Sequence, residues 1–305
     1  MQLPKHVTLK EVGPRDGLQN EKTHMATADK VQLVNLLSQT GLNYIEVTSF
    51  VHPKWIPQLA DAVEVLQAIK RQKDITYAAL VPNMRGLERA LQADVDEVSV
   101  FMSASESHNK NNINKTINET FPIVEEVVVG AKAAHKKVRG YISTVIGCPY
   151  EGYIQPEKVL RVTEKLLEMG IDEISLGDTI GVAVPTQVES LLAELLKRYP
   201  VENFAMHFHD TRGTALANIV KSLEMGITKF DSALGGLGGC PYAKGASGNV
   251  ATEDLLYLLD EMGIKTGVEL NKVLEATHFI EQKLGKAVTS KQMAIARNER
   301  SASQL

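Results

Sequence analysis

Cysteine is scarce in this chain. Only Cys148 and Cys240 occur among 305 residues, which excludes a disulfide framework and favours a reducing compartment. The first residues contain neither an apolar signal core nor an Arg/Ser-rich presequence, and no run reaches the roughly 18 apolar residues that a membrane span needs. These absences predict a cytoplasmic protein without a membrane partner.

An excess of basic residues is also absent. The chain carries 33 Lys and Arg against 37 Asp and Glu, and its pI is about 6.1. Proteins that bind nucleic acid concentrate Lys and Arg to neutralise phosphates, so the charge balance excludes nucleic acid as the main partner. Apolar residues make up 44% of the chain, and a chain of this length can bury a full core without cross-links.

Short β-rich runs alternate with longer amphipathic stretches along the whole chain. The strand candidates are Val7–Val12, Tyr44–Thr48, Thr76–Val81, Glu97–Phe101, Lys137–Val145, Glu173–Leu176, Asn203–Phe208 and Lys229–Leu234. Eight such units predict an α/β fold, a closed TIM (β/α)8 barrel with one or more additional C-terminal helices. An open doubly wound sheet is the alternative, but no Gly-x-Gly-x-x-Gly follows the first strand.

No linker or low-complexity tract interrupts this pattern. We therefore expect residues 1–305 to form a single catalytic barrel domain, with residues 297–305 as a frayed tail. One connection is unusual, because Ser103–Thr116 is polar and too long for a plain turn. Long loops in compact domains are often functional, although a solvated surface loop explains the same composition equally well.

Polar residues occupy the ends of several predicted strands, where TIM barrels place their chemistry. Adjacent opposite charges, Arg15 and Asp16, follow the first strand within a Gly-Pro turn, and Asp178 follows the sixth. Glu46 lies inside the apolar second strand, where a carboxylate must be paired or functional because its unpaired burial is costly. The structural alternative is an Arg–Asp pair that closes the end of the barrel.

The seventh strand carries His207 and His209. Side chains at positions i and i+2 of a strand point to one face, so the two imidazoles form a potential metal site. A lone His-x-His is a weak signal. In a closed eight-stranded barrel, however, only strand 8 separates strand 7 from strand 1, and strand 1 leads to Asp16. The pattern therefore predicts a cation site at this end of the barrel.

The eighth strand opens into the segment Leu234–Asn249, which contains six glycines. Glycine permits positive φ and a close approach of the backbone to a ligand. Cys240 within this segment can serve as a proton donor or base, and Asn249 can offer an amide oxygen to a cation. We interpret the other cysteine, Cys148, as structural.

Three segments together resemble the 3-hydroxy-3-methylglutaryl-CoA lyase family, and the resemblance covers essentially the whole chain. They are Glu11–Lys22, His207–Asp210 and the cysteine loop Gly238–Asn249. The first two alone indicate only the wider superfamily of metal-dependent TIM-barrel lyases and Claisen-type synthases, whereas the cysteine loop points to the lyase branch. The resemblance implies retro-Claisen cleavage of an acyl-CoA substrate to acetyl-CoA and acetoacetate, a place in leucine degradation and ketone-body formation, and a homodimer.

The resemblance also implies roles for individual residues. A Mg²⁺ or Mn²⁺ ion is expected on Asp16, His207, His209 and Asn249, a set that suits a hard six-coordinate cation and lacks the thiolate that zinc favours. The expected catalytic residues are Arg15, Cys240, His207, Glu46 and Asp178. The expected substrate-binding residues are Arg15, Gln19, Lys22, Tyr141 and Thr179.

Three other functions compete with this interpretation. A condensing synthase of the same superfamily usually carries His-x-His-Asn-Asp, whereas this chain has Asp210 and Thr211 after the second histidine. A lyase for another 3-hydroxyacyl-CoA differs only in the lining of its pocket. A metal-stabilised binding protein has no use for Arg15 and a loop cysteine beside its cation.

Overall fold

The structure is a computed structural model that describes residues 3–239 and 248–302. Its strands are β1 (Thr8–Glu11), β2 (Tyr44–Ser49), β3 (Thr76–Leu80), β4 (Glu97–Ser103), β5 (Lys137–Ser143), β6 (Gly147–Cys148), β7 (Gly152–Tyr153), β8 (Glu173–Asp178), β9 (Phe204–Phe208) and β10 (Lys229–Ser232). Eight of them close a parallel barrel in the order β1-β10-β9-β8-β5-β4-β3-β2, and β6 pairs with β7 outside it. Every predicted strand overlaps one barrel strand, so the TIM-barrel prediction is confirmed.

Helices follow the barrel strands. They are α1 (Thr27–Leu37), α2 (Ala62–Ala68), α3 (Met84–Gln92), α4 (Glu106–Ile113), α5 (Ile117–Ala133), α6 (Pro156–Glu168), α7 (Pro185–Leu196), α8 (Ala215–Glu224), α9 (Thr252–Glu261), α10 (Leu270–Leu284) and α11 (Lys291–Ala302). Their apolar faces are buried, as α7 shows with Val188, Leu192 and Leu195 at helical spacing. Within the described ranges, none of these helices has the length and apolar character needed to cross a membrane.

A single π-helical turn, Gly13–Gly17, follows β1 and carries the Arg-Asp pair. The amides of Asp16 and Gly17 both donate to the Val12 carbonyl, at 2.7 and 3.3 Å. A Cβ at Gly13 would lie 2.5 Å from Glu11 Oε1, so a larger residue there would displace the Glu11 carboxylate. The turn is therefore a compact and sequence-specific device that presents Arg15 and Asp16 at the barrel end.

The long connection Ser103–Thr116 is not a loop, and that interpretation was wrong. Most of it forms α4, whose first turn is capped because the Ser105 hydroxyl accepts from the His108 amide at 3.1 Å. The helix ends at Asn114, which adopts a left-handed conformation with φ of 56°. A capping serine and a terminating asparagine thus make a helix out of a segment whose composition is almost entirely polar.

The predicted frayed tail, residues 297–305, differs from the structure over residues 297–302, which belong to α11, while residues 303–305 lie outside the described residues. Met293 is fully buried, and Arg297 forms an ion pair with Glu281 on α10. The ion pair anchors the last helix to α10, and the burial of Met293 packs it against the core. Sequence alone did not reveal them, because both depend on residues that are distant along the chain.

A buried carboxylate, Glu11, ties the end of β1 to the segment after β10. Its Oε1 accepts from the amides of Gly13 and Leu234 at 2.7 and 3.0 Å, and its Oε2 accepts from the Thr252 hydroxyl at 2.7 Å. Burial raises the pKa of Glu11 to about 7, even though these hydrogen bonds act in the opposite direction. Glu11 therefore holds together two of the segments that carry the candidate site.

The raised pKa of Glu11 makes stability depend on pH. Because the folded state holds this proton more tightly than the unfolded state, the stabilisation is complete below pH 4.5 and is lost as the pH rises through about 7. Glu11 alone can contribute a slope of up to about 1.4 kcal/mol per pH unit in that interval. We expect Glu11→Gln to flatten the fall in the free energy of unfolding between pH 5 and 7.5, measured by urea titration. The exposed Glu125→Gln variant on α5 should follow the wild type, and an unchanged slope in Glu11→Gln would contradict the assignment.

Candidate active site

Three potential metal ligands meet at the C-terminal end of the barrel. Asp16 Oδ2 lies 3.9 Å from His207 Nε2 and 4.0 Å from His209 Nε2. One ligand atom from each residue lies within 4.8 Å of the others. Both β1 and β9 pair with β10, which confirms the predicted neighbourhood of the first and seventh barrel strands. The weak His-x-His signal thus becomes a three-residue cluster.

Asn249 joins this cluster from the far side of the glycine-rich segment. It forms a bridge with His209, and its Nδ2 donates to Asp16 Oδ2 at 2.8 Å and to the Leu237 carbonyl at 3.0 Å. Its Oδ1 is buried and has no hydrogen-bond partner in the part of the chain that the structure describes. Buried acceptors are normally satisfied, so this orphaned oxygen beside a carboxylate and two imidazoles fits a set of cation ligands.

The protonation states of the cluster also fit a cation. Burial opposes the ionisation of Asp16, but Arg15, His207 and His209 lower the pKa of this carboxyl to about 2. Burial, helped by the nearby His207 and Arg15, lowers the pKa of His209 to about 4. A carboxylate and a neutral imidazole are the forms that bind metal ions.

Arg15 lies beside the cluster and is only 6% exposed. Its Nε donates to Glu46 Oε2 at 2.6 Å and its Nη1 donates to Asp16 Oδ1 at 2.5 Å. The Tyr141 hydroxyl donates to the same Glu46 oxygen at 3.1 Å, and the Arg15 guanidinium lies 5.2 Å from the Tyr141 ring. The buried Glu46 is therefore paired, and it fixes the position of the Arg15 guanidinium that faces the cavity.

A cavity of about 720 Å³ opens above these residues. Its lining includes the three potential metal ligands and four of the five predicted substrate-binding residues, namely Arg15, Gln19, Tyr141 and Thr179. Lys22 is the exception, because it is exposed and does not line this cavity as far as the structure describes it. The chain turns just before it, where the Glu21 amide donates to the Leu18 carbonyl at 3.0 Å.

Sequence reasoning did not identify the outer part of this cavity. Trp55 is 68% exposed and lines the cavity together with Asn83. Asn111 and Asn112 on α4 also belong to the lining. The segment Ser103–Thr116, for which a functional loop and a solvated surface loop were both open, therefore does reach the cavity, although as a helix.

Asp178 hydrogen-bonds to the backbone, and its catalytic role stays a prediction. Its two oxygens accept from the amides of Val182 and Ala183, at 3.1 and 3.0 Å, and its side chain is fully buried. Burial raises the pKa of Asp178. The carboxyl thus fastens the segment after β8, and none of its hydrogen bonds within the described residues reaches His207. Its neighbour Thr179, which accepts from the Thr144 amide at 2.8 Å, does line the cavity.

Of the two cysteines, only Cys148 lies within the described residues. Cys240 lies outside the described residues, so its part in proton transfer stays a prediction. Gly239, just before it, lines the cavity, and its carbonyl accepts from Asn20 Nδ2 at 2.8 Å. Cys148 is buried with its Sγ 3.0 Å from the Ser105 hydroxyl. That environment agrees with a structural role for Cys148.

Two buried charged residues next to the cluster escaped the sequence analysis. Asp231 on β10 places Oδ2 3.1 Å from His207 Nδ1, and Arg139 on β5 donates from Nη2 to Asp231 Oδ1 at 2.6 Å. Both residues lie between small or apolar neighbours in buried strands. The argument that drew attention to Glu46, a charge inside an apolar strand, would have found them too.

Comparison with known proteins gives consistent results along the chain. The HMGL-like family model matches residues 6–280. Hydroxymethylglutaryl-CoA lyase YngG of Bacillus subtilis is 58% identical over 295 residues, which cover 97% of this chain and 99% of that protein. A crystal structure of the Bacillus subtilis HMG-CoA lyase matches with a TM-score of 0.96 and 57% identity, over 97% of this chain and 100% of that one. An HMG-CoA lyase from Acinetobacter baumannii, solved with coenzyme A and 3-methylmalate, has a TM-score of 0.91 and 40% identity over 95% of each chain.

Proposed function

The chain belongs to the hydroxymethylglutaryl-CoA lyase family, and from this membership we infer its reaction and the residues that perform it. It is a carbon–carbon lyase that cleaves 3-hydroxy-3-methylglutaryl-CoA to acetyl-CoA and acetoacetate. The observation that carries the assignment of residues is the cavity in which Asp16, His207 and His209 adjoin Arg15.

The reaction makes two demands on the site. The 3-hydroxyl of the substrate loses its proton, the C2–C3 bond breaks, and acetoacetate leaves as a ketone. The electron pair of that bond remains as the enolate of acetyl-CoA, which then takes a proton at carbon. The site must therefore favour an alkoxide at one atom and an enolate at another.

The first demand concerns the hydroxyl. When bound, a divalent cation, which we propose to be Mg²⁺ or Mn²⁺, supplies the Lewis acidity that lowers the pKa of a coordinated hydroxyl. Asp16, His207, His209 and Asn249 would hold it, and the orphaned Asn249 Oδ1 supports the inclusion of the amide. The mixed oxygen and nitrogen donors, without a thiolate among them, favour these ions over zinc.

The second demand concerns the enolate. We assign its stabilisation to Arg15, which lines the cavity with a guanidinium held by Glu46 and Asp16. A charge that is already oriented before the reaction needs no reorganisation when negative charge develops on the thioester oxygen, and such a group contributes about 3–4 kcal/mol. Glu46 is therefore a positioning residue for Arg15. Proton transfer is proposed for Cys240 and His207, of which His207 lines the cavity.

The oligomeric state, the compartment and the pathway are proposals too. We expect a homodimer in the cytoplasm that serves leucine degradation. The helix α10 spans Leu270–Leu284 and is one candidate for a subunit interface. Its apolar residues Val273, Ile280 and Leu284 are already buried in the core of one chain. They are therefore not free to form a subunit contact.

An assay of acetoacetate release by the purified full chain tests the proposed function. We expect release from 3-hydroxy-3-methylglutaryl-CoA in the presence of Mg²⁺, and at most slow release from other 3-hydroxyacyl-CoA esters in the same panel. A preference for another ester would change the substrate assignment. Condensation of acetyl-CoA with a 2-oxo acid, without cleavage, would instead identify a synthase. Tight binding without either reaction would identify a binding protein.

A further inference from the structure

We propose that Asp231 is a positioning residue that fixes the tautomer and the orientation of His207 for cation binding. Asp231 lies on β10, is 1% exposed, and faces the imidazole nitrogen that points away from Asp16. The inference rests on the proposed function only in using His207 as a cation ligand. It extends that function because it explains why His207 offers the correct nitrogen.

The chemistry of the pair determines which nitrogen carries the hydrogen. Both Asp231 oxygens accept from the Arg139 guanidinium, at 2.6 and 3.2 Å, so the group is a carboxylate and can only accept. His207 Nδ1, 3.1 Å from Oδ2, must then donate its hydrogen. The lone pair of the neutral ring therefore lies on Nε2, which is the nitrogen that faces Asp16.

The carboxylate is itself held from other strands of the barrel. The Ser175 hydroxyl on β8 donates to Asp231 Oδ2 at 2.8 Å. Arg139, which is fully buried, also donates from Nε to Glu173 Oε1 at 2.7 Å and stacks 4.7 Å from the Tyr141 ring. Three barrel strands besides β9, namely β5, β8 and β10, thus contribute to the position of one imidazole, and Asp231 cannot turn away without breaking two hydrogen bonds from Arg139.

His209 provides an internal contrast. Its Nδ1 is buried and has no hydrogen-bond partner among the described residues. The two imidazoles of the cluster therefore differ, because the tautomer of His207 is fixed by a carboxylate and that of His209 is not. A role of Asp231 in general packing would not produce this difference.

The variant Asp231→Asn tests the proposal with little change in shape. Arg139 can only donate, so it should keep the amide oxygen and turn the amide nitrogen toward His207. His207 Nδ1 must then accept, and its hydrogen moves to Nε2, where it blocks cation binding. We expect the affinity for Mn²⁺, measured by titration calorimetry on the full chain, to fall about 10–100-fold. We also expect the ¹⁵N shifts of His207 in metal-free protein to change to the Nε2–H form.

Glu173→Gln is the matched control. It removes the other carboxylate partner of Arg139 and leaves the contact between Asp231 and His207 in place. We expect Glu173→Gln to bind Mn²⁺ with nearly the wild-type affinity. Equal weakening in both variants, or wild-type affinity in Asp231→Asn, would overturn the proposal.

A measurement on the wild type keeps the proposal testable if Asp231→Asn does not fold. The ¹⁵N shifts of His207 in the metal-free wild type must show the hydrogen on Nδ1. A hydrogen on Nε2 would refute the proposal that Asp231 fixes the tautomer of His207. Failure of the proposed function is distinguishable from this outcome. If the wild type binds no Mn²⁺, the cation assignment is lost, while the tautomer still reports on Asp231.

Discussion

Replacing Arg15 by methionine is expected to lower kcat by about 10²–10³-fold while leaving most of the substrate affinity in place. Methionine keeps the apolar length of the side chain but removes the charge that we place beside the enolate. That charge matters more in the transition state than in the bound substrate, so kcat should fall much more than KM rises. Acetoacetate release with saturating substrate and Mg²⁺ measures the effect, and near-normal kcat would remove Arg15 from the mechanism.

The structure predicts that Arg15→Met also lowers stability, and it suggests a second variant that separates this effect from the loss of kcat. Glu46 is fully buried and pairs with Arg15 at 2.6 Å, so Arg15→Met leaves an uncompensated buried carboxylate. Loss of one partner of such a pair typically costs about 3–5 kcal/mol of stability. The double variant Arg15→Met/Glu46→Gln removes the unpaired charge. We expect it to regain much of the stability in urea unfolding without regaining kcat, and recovery of kcat would mean that unfolding had caused the loss.

Removal of divalent cations is expected to abolish activity almost completely. Lewis acidity at the substrate hydroxyl is worth several kcal/mol, which corresponds to a loss of at least about 10³-fold in the chelated protein. Added Mg²⁺ or Mn²⁺ should restore the rate, whereas His209→Ala should prevent the recovery because it removes one ligand of the cluster. Titration of activity against each ion after dialysis with a chelator measures both effects.

A second histidine supplies the control for that experiment. His52 lines the same cavity but does not belong to the cation cluster. We expect His52→Ala to recover with Mg²⁺ or Mn²⁺ at concentrations close to those for the wild type. Full activity of the chelated wild-type protein would overturn the proposal of a cation-assisted reaction.

The barrel could be predicted from the sequence because its signal is local and repeated. Each barrel strand is a short apolar run that ends near a turn, and the eight runs need only the general geometry of parallel strands to close. The same geometry predicts that Asp16, His207 and His209 lie at one end of the barrel. These predictions required knowledge of strand order but no knowledge of side-chain contacts.

The roles of individual polar side chains were harder to predict, because they depend on their hydrogen-bond partners. Asp178 stands at the end of a strand, as a functional carboxylate should, but its oxygens accept from two amides four and five residues further along. Asp231 could have been noticed as a charge inside an apolar strand, but its role depends on Arg139, which is 92 residues away in sequence. Polar composition hid α4, since the capping role of Ser105 became evident only from the backbone. The partner of Asp231 is distant in sequence, whereas those of Asp178 and Ser105 are local, and in all three cases the hydrogen-bond partner became evident only from the folded backbone.

The contact between Asp231 and His207 also restricts proton transfer by His207. An imidazole has two nitrogens, and in His207 one faces a carboxylate at 3.1 Å while the other faces the cation cluster. As long as Nε2 serves as a ligand, no lone pair is left to receive a proton from the substrate. His207 therefore cannot act as a cation ligand and as a base at the same moment. If His207 carried a proton on Nε2, that nitrogen would not be able to hold the cation, and Asp16, His209 and Asn249 would have to hold it without His207.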